Sequence, residues 1–273
     1  DSGTANDPLI IHVKIIVDGD SVEFNFEGTS PQVAGPVNAP LGVTLAGVFF
    51  TLISVTDPTI PVNEGCFRPL TLNIPEGCFL NPRRPAPVAG GNVETSQRNV
   101  DALMGALAKA LPERVPAASQ GTMNNVSVGG LRRDGSPWTF YETIAGGNGG
   151  RPGSDGVDGV HINMTNTMNT PIEALEADLP LRFEAYRFRP DTGGPGRWRG
   201  GCGIERIWTL QSECATLSIL GERNKIPPWG LYGGGPGALG EYILFKRDGT
   251  KRKLPSKCTV PIEEGDTLLI RTP

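Results

Sequence analysis

The apolar positions near the start of the chain alternate with polar ones. Val22, Phe24 and Phe26 are separated by single polar residues, which is the period of a strand with one buried face. The preceding run, residues 10–17, is rich in β-branched residues, and Asp18-Gly19-Asp20 lies between the two runs. A glycine turn between such runs predicts an antiparallel β-hairpin.

Three later segments have the pattern of helices. Residues 41–55 are almost entirely apolar, which predicts a helix that is buried on all sides. In residues 96–111, apolar residues recur every three or four positions, and Thr95 or Ser96 is the predicted N-cap. Residues 171–177 predict a short third helix.

Beyond Ala117 the pattern is mainly that of strands separated by glycine clusters. Strands are predicted at 125–128, 138–144, 181–188, 204–210, 215–220, 241–245 and 267–271. The expected fold class is therefore α+β, with a predominantly antiparallel sheet and few helices. We expect a boundary near residue 180, with a mixed α+β part at 1–180 that carries the polar segments and a mainly β part at 181–273.

Composition narrows the class of protein. The 37 glycines and 25 prolines favour a turn-rich β structure. The net charge of −4 is spread without long runs, so nothing indicates a nucleic-acid or membrane partner. The five cysteines form no CxxC pair, which favours free thiols in a reducing compartment, the cytoplasm; a bridge between Cys66 and Cys78 is the alternative.

Four polar, glycine-spaced segments stand out: 90–98, 118–125, 141–156 and 161–171. Glycine lets a backbone approach a ligand closely, and amides and hydroxyls supply neutral donors and acceptors. The segment 90–94 also lies at a predicted helix N-terminus, where backbone N–H groups favour anions. We interpret these segments as a binding or catalytic site; a long surface loop region is the alternative.

Several familiar sites are excluded by the residues present. Residues 149–156 carry no GK[ST], so they are not a phosphate-binding loop, and residues 193–203 lack GxGxxG and predict a tight turn between strands. There is no GxSxG and no HExxH. With only His12 and His161, this chain cannot hold a three-histidine metal site by itself.

Three residues are candidates for acid–base chemistry: Glu94, Glu142 and His161. A buried glutamate among amides can serve once its pKa is raised. Arg98 could hold a carboxylate through two hydrogen bonds. The alternatives are structural ion pairs for the charged residues and a loop-stabilising hydrogen bond for His161. The candidate substrate-binding residues are Asn92, Gln97, Arg98, Asn124, Asn125, Asn163, Asn166 and Asn169; no metal ligand is assigned.

The polar segments resemble those of the hydantoinase B/oxoprolinase family, and the resemblance runs nearly end to end. This family includes N-methylhydantoinase B subunits, part of the 5-oxoprolinases, and subunits of acetone and acetophenone carboxylases. The matching motifs are FNFEGTSPQVAGPVNAP (24–40), NEGCFRPL (63–70), VAGGNVETSQR (88–98), PERVPAASQGTMNN (112–125), YETIAGGNGGRPGSDG (141–156), GVHINMTNTMNTPIEALE (159–176), GRWRGGCGIERI (196–207) and ERNKIPPWGLYGG (222–234).

The resemblance implies a chain that is the C-terminal part of a B-type subunit about twice as long. Such a subunit acts in a hetero-oligomer with a hydantoinase A-type subunit that binds ATP and Mg. The partner phosphorylates the substrate carbonyl oxygen, and the B-type subunit completes the reaction. The resemblance places a divalent-metal site on the absent N-terminal half. Many relatives have a histidine where this chain has Asn163, so the segment after His161 is not expected to bind metal.

The expected function is therefore the opening of hydantoin or 5-oxoproline rings by an ATP-dependent hydrolase of C–N bonds in cyclic amides. Two alternatives remain at this point. One is a subunit of an ATP-dependent ketone carboxylase, and the other is a non-catalytic scaffold fragment of the complex.

Overall fold

A computed structural model describes Gly3 and residues 8–273, which form two compact units that divide between Pro116 and Ala117. The first unit contains a three-stranded sheet of β1 (Lys14–Asp18), β2 (Ser21–Asn25) and β3 (Leu70–Asn73). Strands β1 and β2 pair antiparallel around the glycine turn, as the sequence predicts, and β3 pairs parallel with β2.

Two helices pack together in the first unit, α1 (Leu41–Val55) and α2 (Ser96–Leu107). The bounds of α1 match the prediction, but Leu41 is 42 % exposed, so the helix is not buried on all sides. Helix α2 ends before the predicted residue 111 because its C-terminal residues tighten into turns ahead of Pro112.

The start of α2 also differs from the expectation. A π-helical turn, Gly91–Thr95, leads directly into α2, so Thr95 and Ser96 have helical backbone angles and neither caps the helix. The Thr95 hydroxyl instead donates to the Val37 carbonyl. A helix interior has no free N–H for an N-cap to accept, which is why the predicted cap is wrong.

The second unit is built from two antiparallel sheets. The four-stranded sheet has the order β11-β8-β4-β5, with β4 (Asn125–Leu131), β5 (Pro137–Glu142), β8 (Cys214–Leu220) and β11 (Lys257–Glu263). The five-stranded sheet has the order β10-β9-β12-β7-β6, with β6 (Leu181–Phe188), β7 (Ile204–Leu210), β9 (Glu241–Phe245), β10 (Lys251–Leu254) and β12 (Thr267–Arg271). Helix α3 (Ile172–Asp178) packs against β6. The α+β class with mainly antiparallel sheet is confirmed.

One apolar cluster joins the two sheets into a sandwich. Val128 and Phe140 of the four-stranded sheet belong to the same buried cluster as Trp208, Leu244 and Ile270 of the five-stranded sheet. Alternate residues of β5 and β8 are buried, which leaves the other face of those strands more exposed.

The observed division of the chain is not the expected one near residue 180. Strand β4 pairs with β8 over six positions, from Asn125–Leu220 to Gly130–Ala215, so strands on both sides of residue 180 share one sheet. The change of pattern near residue 180 reflects the end of the polar segments and not the edge of a compact unit.

The glycine clusters of the second unit bring backbones against each other. A Cβ added to Gly149 would lie 1.8 Å from the Ala117 carbonyl oxygen, and one on Gly201 would lie 2.0 Å from that of Val157. Backbone hydrogen bonds form across these contacts, for example from Gly201 N to Asn148 O at 2.8 Å. Residues 189–203, predicted to contain a tight turn, are a long connection that is part of this packing.

The cysteines are not bridged to each other. All five cysteines are free thiols, and only Cys78 among them is buried, so the alternative of a Cys66–Cys78 bridge is wrong. Within Gly3 and residues 8–273, no helix combines the length and the apolar character needed to cross a membrane.

We predict that Gly149→Ala lowers the free energy of unfolding by about 3 kcal/mol, the upper part of the range for overpacking, because its methyl group meets fixed backbone. The control is Gly237→Ala, where the nearest atoms are 3.5 Å from the added Cβ, and its change should stay within about 0.5 kcal/mol. Urea unfolding of both variants checks this, and equal effects would contradict it.

Candidate functional site

The predicted site residues are distributed over both units. Asn92, Glu94, Gln97 and Arg98 belong to the first unit, in and just after the π-helical turn. The other predicted residues belong to the second unit: Asn124, Asn125, Glu142, His161, Asn163, Asn166 and Asn169.

In the first unit, the π-helical turn and the start of α2 each carry a buried polar candidate. Glu94 is 1 % exposed and Gln97 is fully buried, whereas Asn92 is exposed. Arg98 donates to Asp101 at 2.8 Å, one turn along the helix. This is the structural ion pair that was the alternative to a substrate clamp.

The start of this turn is a poor anion site. The N–H groups of Gly90 and Gly91 donate to the carbonyls of Pro36 and Val88, at 2.7 and 3.0 Å. A Cβ on Gly91 would lie 2.0 Å from the Asn38 carbonyl oxygen, so protein backbone occupies the space that a ligand would need.

In the second unit, Asn124 is the centre of a buried amide network. It is fully buried with φ of 47°, a left-handed conformation that asparagine tolerates better than most residues. Its Nδ2 donates to Gln120 Oε1 at 2.7 Å and to the Ile144 carbonyl at 3.3 Å, and its Oδ1 accepts from the Tyr242 hydroxyl at 2.8 Å. The network therefore uses this amide to hold the structure together.

Asn125 is engaged in a similar way. Its Nδ2 donates to the Leu220 carbonyl at 2.8 Å, and its Oδ1 accepts from the Tyr141 hydroxyl at 2.7 Å. Asn163 has φ of 53° and donates to Ser119 Oγ at 3.3 Å. Asn166 is exposed.

A polar cluster forms where the end of β5 meets β6 and β7. The guanidinium of Arg206 donates to both oxygens of Glu142, with Nε–Oε1 at 2.6 Å and Nη2–Oε2 at 3.0 Å. Asn169 Nδ2 donates to Glu142 Oε2 and to the Thr143 carbonyl, both at 2.9 Å. The Tyr186 hydroxyl donates to Asn169 Oδ1 at 3.0 Å. The structure thus brings together Glu142 and Asn169, two of the predicted residues.

His161 lies beside this cluster with unused hydrogen-bonding capacity. Both ring nitrogens are buried, and neither has a partner at hydrogen-bonding geometry among the described residues. Burial lowers the pKa of the imidazole below its ordinary 6.5, while Asn169 nearby favours the charged form and offsets part of this effect. The ring is therefore neutral at pH 7, with a lone pair that can accept a proton.

The pKa values of the other two titratable groups reflect the same burial. Removal from water raises the pKa of Glu142, and hydrogen bonds and charge attraction from Arg206, with Asn169, oppose the rise. Burial also raises the pKa of the Tyr186 phenol. Both effects follow from the cost of a charge in a medium of low polarity.

Arg206 and Tyr186 are site residues that the sequence analysis missed. A signal for Arg206 exists, because Ile204, Trp208 and Leu210 occupy the buried positions of β7 and Arg206 falls on the same face. An arginine in such a series of apolar residues predicts a buried partner of opposite charge.

No cluster of metal-ligating side chains is present in the part of the chain that the structure describes. Within residues 8–273 and Gly3, no three His, Cys, Asp or Glu side chains lie close enough to hold a metal ion. The glycine-rich residues 146–150 pack against other backbone and have no GK[ST] sequence that could hold phosphates.

Two solved structures share the fold of this chain. The fold matches the ATP-dependent caprolactamase of Pseudomonas jessenii with a TM-score of 0.84 at 23% identity, over 96% of this chain and 47% of that one. It matches nucleotide-free acetone carboxylase with the same TM-score of 0.84 at 19% identity, over 95% of this chain and 40% of that one.

The chain belongs to the hydantoinase B/oxoprolinase family, whose pattern it matches over residues 1–273. It is 50% identical to an uncharacterized protein of Methanocaldococcus jannaschii, over 98% of this chain and 46% of that protein. It is 40% identical to 5-oxoprolinase 1 of Arabidopsis thaliana, over 98% of the chain and 20% of the enzyme. It is 34% identical to the B subunit of a putative D-/L-hydantoinase from a Pseudomonas strain, over 93% and 43%. The chain thus spans less than half the length of each of these relatives.

We predict that Asn124→Ala lowers the free energy of unfolding by about 2–3 kcal/mol, because Gln120 and Tyr242 lose a buried partner. Asn166→Ala, at an exposed position, should stay within about 0.5 kcal/mol of the wild type. Thermal unfolding of the two variants and the wild type measures these changes. An Asn124→Ala protein as stable as the wild type would show that this network is dispensable.

We predict that His161 makes the fold less stable in mild acid. Because its folded pKa is lowered, the unfolded chain takes up a proton first as the pH falls below 6.5, so the free energy of unfolding decreases there. His161→Gln should reduce this loss, whereas His12→Gln, at an exposed position, should retain it. Urea unfolding at pH 7.5 and at lower pH tests the difference, and identical pH dependence of the wild type and His161→Gln would refute it.

Proposed function

We propose that this chain is part of the B-type subunit of an ATP-dependent cyclic-amide hydrolase that opens hydantoin or 5-oxoproline rings. The observation that carries the proposal is the neutral imidazole of His161, whose buried ring nitrogens have no partner at hydrogen-bonding geometry among the described residues, beside the amide of Asn169 and the carboxylate of Glu142. The 5-oxoprolinase and hydantoinase names of relatives that match nearly the whole chain support the substrate class.

The chemical problem is that an unstrained amide is a poor electrophile. Transfer of a phosphoryl group from ATP to the carbonyl oxygen makes the ring carbon open to attack by water. Water then adds to that carbon and gives up a proton, and the C–N bond breaks as the ring nitrogen gains one, which leaves an acyl phosphate. A second water hydrolyses the acyl phosphate to the carboxylate and inorganic phosphate. These steps require a group that accepts a proton near pH 7, and a neutral buried imidazole has that property.

The predicted residues take different roles in this proposal. His161 accepts the proton of the attacking water. Glu94 belongs to the first unit, and no step is assigned to it here. Glu142 is held by Arg206 and Asn169, so we assign it the orientation of the polar segment. The exposed amide of Asn166, in the same unit as His161, is the candidate for binding the substrate.

ATP and its magnesium ion are proposed to bind outside this chain. The sequence has no phosphate-binding GK[ST] motif. The related Pseudomonas protein is named as the B subunit of its enzyme, which supports an A-type ATP-binding partner. Any divalent metal of the B-type subunit is likewise proposed to lie on the remaining part of that subunit. Free thiols are consistent with the proposed location in the cytoplasm.

We predict that the full-length protein with its ATP-binding partner releases ADP and ring-opened product from 5-oxoproline or a hydantoin. His161→Gln should lower kcat by about 100-fold or more, the usual contribution of a general base. His12→Gln is the matched control and should have full activity. Product is measured by chromatography and ADP by a coupled assay.

Other outcomes identify the alternatives. Full activity of His161→Gln would remove this residue from proton transfer. Consumption of acetone and bicarbonate, without hydrolysis of cyclic amides, would identify a ketone carboxylase. Normal turnover after His161→Gln, Glu94→Gln and Glu142→Gln would indicate that this part of the subunit is a scaffold.

A further inference from the structure

We propose that Arg206 is a positioning residue for the reaction, and that it holds the polar segment 161–170 in place through Glu142 and Asn169. The expected effect on kcat rests on the proposed function. The expected effect on amide hydrogen exchange is independent of that function.

The position of Arg206 is fixed by the sandwich. In β7 it faces inward and is fully buried, opposite Tyr186 on β6 and Ile270 on β12. The guanidinium carbon lies 4.5 Å from the ring centre of Phe183 and 4.5 Å from that of Tyr186. Contacts with the two rings restrict the guanidinium, so its Nε and Nη2 groups point at Glu142.

Glu142 links Arg206 to the polar segment 161–170 through hydrogen bonds. The same oxygen that accepts from Arg206 Nη2 also accepts from Asn169, near the end of the segment. Thr143, the next residue along the chain, accepts a second bond from Asn169 through its carbonyl and shares a hydroxyl contact of 2.8 Å with Thr167. Residues 161–170 contain no helix or strand, so side-chain bonds such as these define their conformation.

A contribution to stability does not by itself explain the buried ion pair of Arg206 and Glu142. A buried ion pair is often no more stable than well-packed apolar residues of the same volume, because both charges lose their hydration. Arg206 Nη1 adds to that cost, since it is buried without a hydrogen-bond partner among the described residues. What apolar residues could not supply is the charged acceptor for Asn169, and charge-assisted hydrogen bonds are the stronger kind.

The double variant Arg206→Met/Glu142→Met separates the two roles. It removes both charges together, so we expect its Tm to exceed that of either single variant. We also expect amide hydrogen exchange in residues 162–169 to accelerate about tenfold, the effect of losing one charge-assisted bond. The kcat for 5-oxoproline should fall at least about tenfold, because the segment no longer holds His161 in place. The control Arg133→Gln/Glu264→Gln removes an exposed ion pair of the same unit and should change none of these.

Tyr186→Phe is the milder test. It retains the ring over Arg206 and removes only the hydroxyl that donates to Asn169. Exchange in residues 162–169 should rise by about two- to tenfold, the effect of one neutral hydrogen bond, without a change in β6 or β7.

Two results would overturn the inference. One is unchanged exchange in residues 162–169 in both variants, and the other is full turnover by the double variant despite faster exchange. An inactive wild type would contradict the proposed function instead, and the exchange rates alone would then decide whether Arg206 anchors the segment.

Discussion

The second unit depends on close contacts between backbone segments at glycines, where no side chain keeps the segments apart. At Gly149, Gly156 and Gly201 the nearest neighbours of an added Cβ are carbonyl groups of other loops, at about half of a normal contact distance. The hydrogen bonds across these contacts, and the one from Gly159 N to Cys202 O, fix the connections that precede His161. These backbone contacts hold the loops that lead to the polar cluster in one arrangement.

The amides of this chain divide into two groups according to burial. A buried amide must have its donors and acceptors paired inside the protein, and Asn124 and Asn125 meet that requirement with backbone and tyrosine partners. An exposed amide such as that of Asn166 has water as its partner and can exchange it for a ligand. An abundance of asparagine in a sequence therefore indicates polar architecture first and a binding site second.

Local patterns predicted the local structure well. The hairpin of β1 and β2 follows from alternation of apolar residues around a glycine turn, and the bounds of α1 follow from a continuous apolar run. The division at residue 116 and the pairing of β4 with β8 depend on contacts between distant residues, which no local pattern contains. The π-helical turn before α2 was missed for a related reason, because Thr95 finds its partner at Val37, far away in the chain.

The same distinction applies to the site. Glu142 and Asn169 could be selected as polar residues in polar segments, and they do lie together. The arginine that binds Glu142, Arg206, lies on the buried face of β7, and the identity of its partner depends on the packing of the two sheets. Residue type identified the candidates, and tertiary packing determined which of them are available for chemistry.

The order of the five-stranded sheet has a consequence for the synthesis of the protein. Strand β12 lies between β9 and β7, so the hairpins β6–β7 and β9–β10 have no common neighbour until residues 267–271 have left the ribosome. During that interval each hairpin exposes an unpaired edge and an apolar face, the conditions under which nascent chains associate wrongly. Closure by a strand so far along the chain has a high contact order, which makes this step of folding slow.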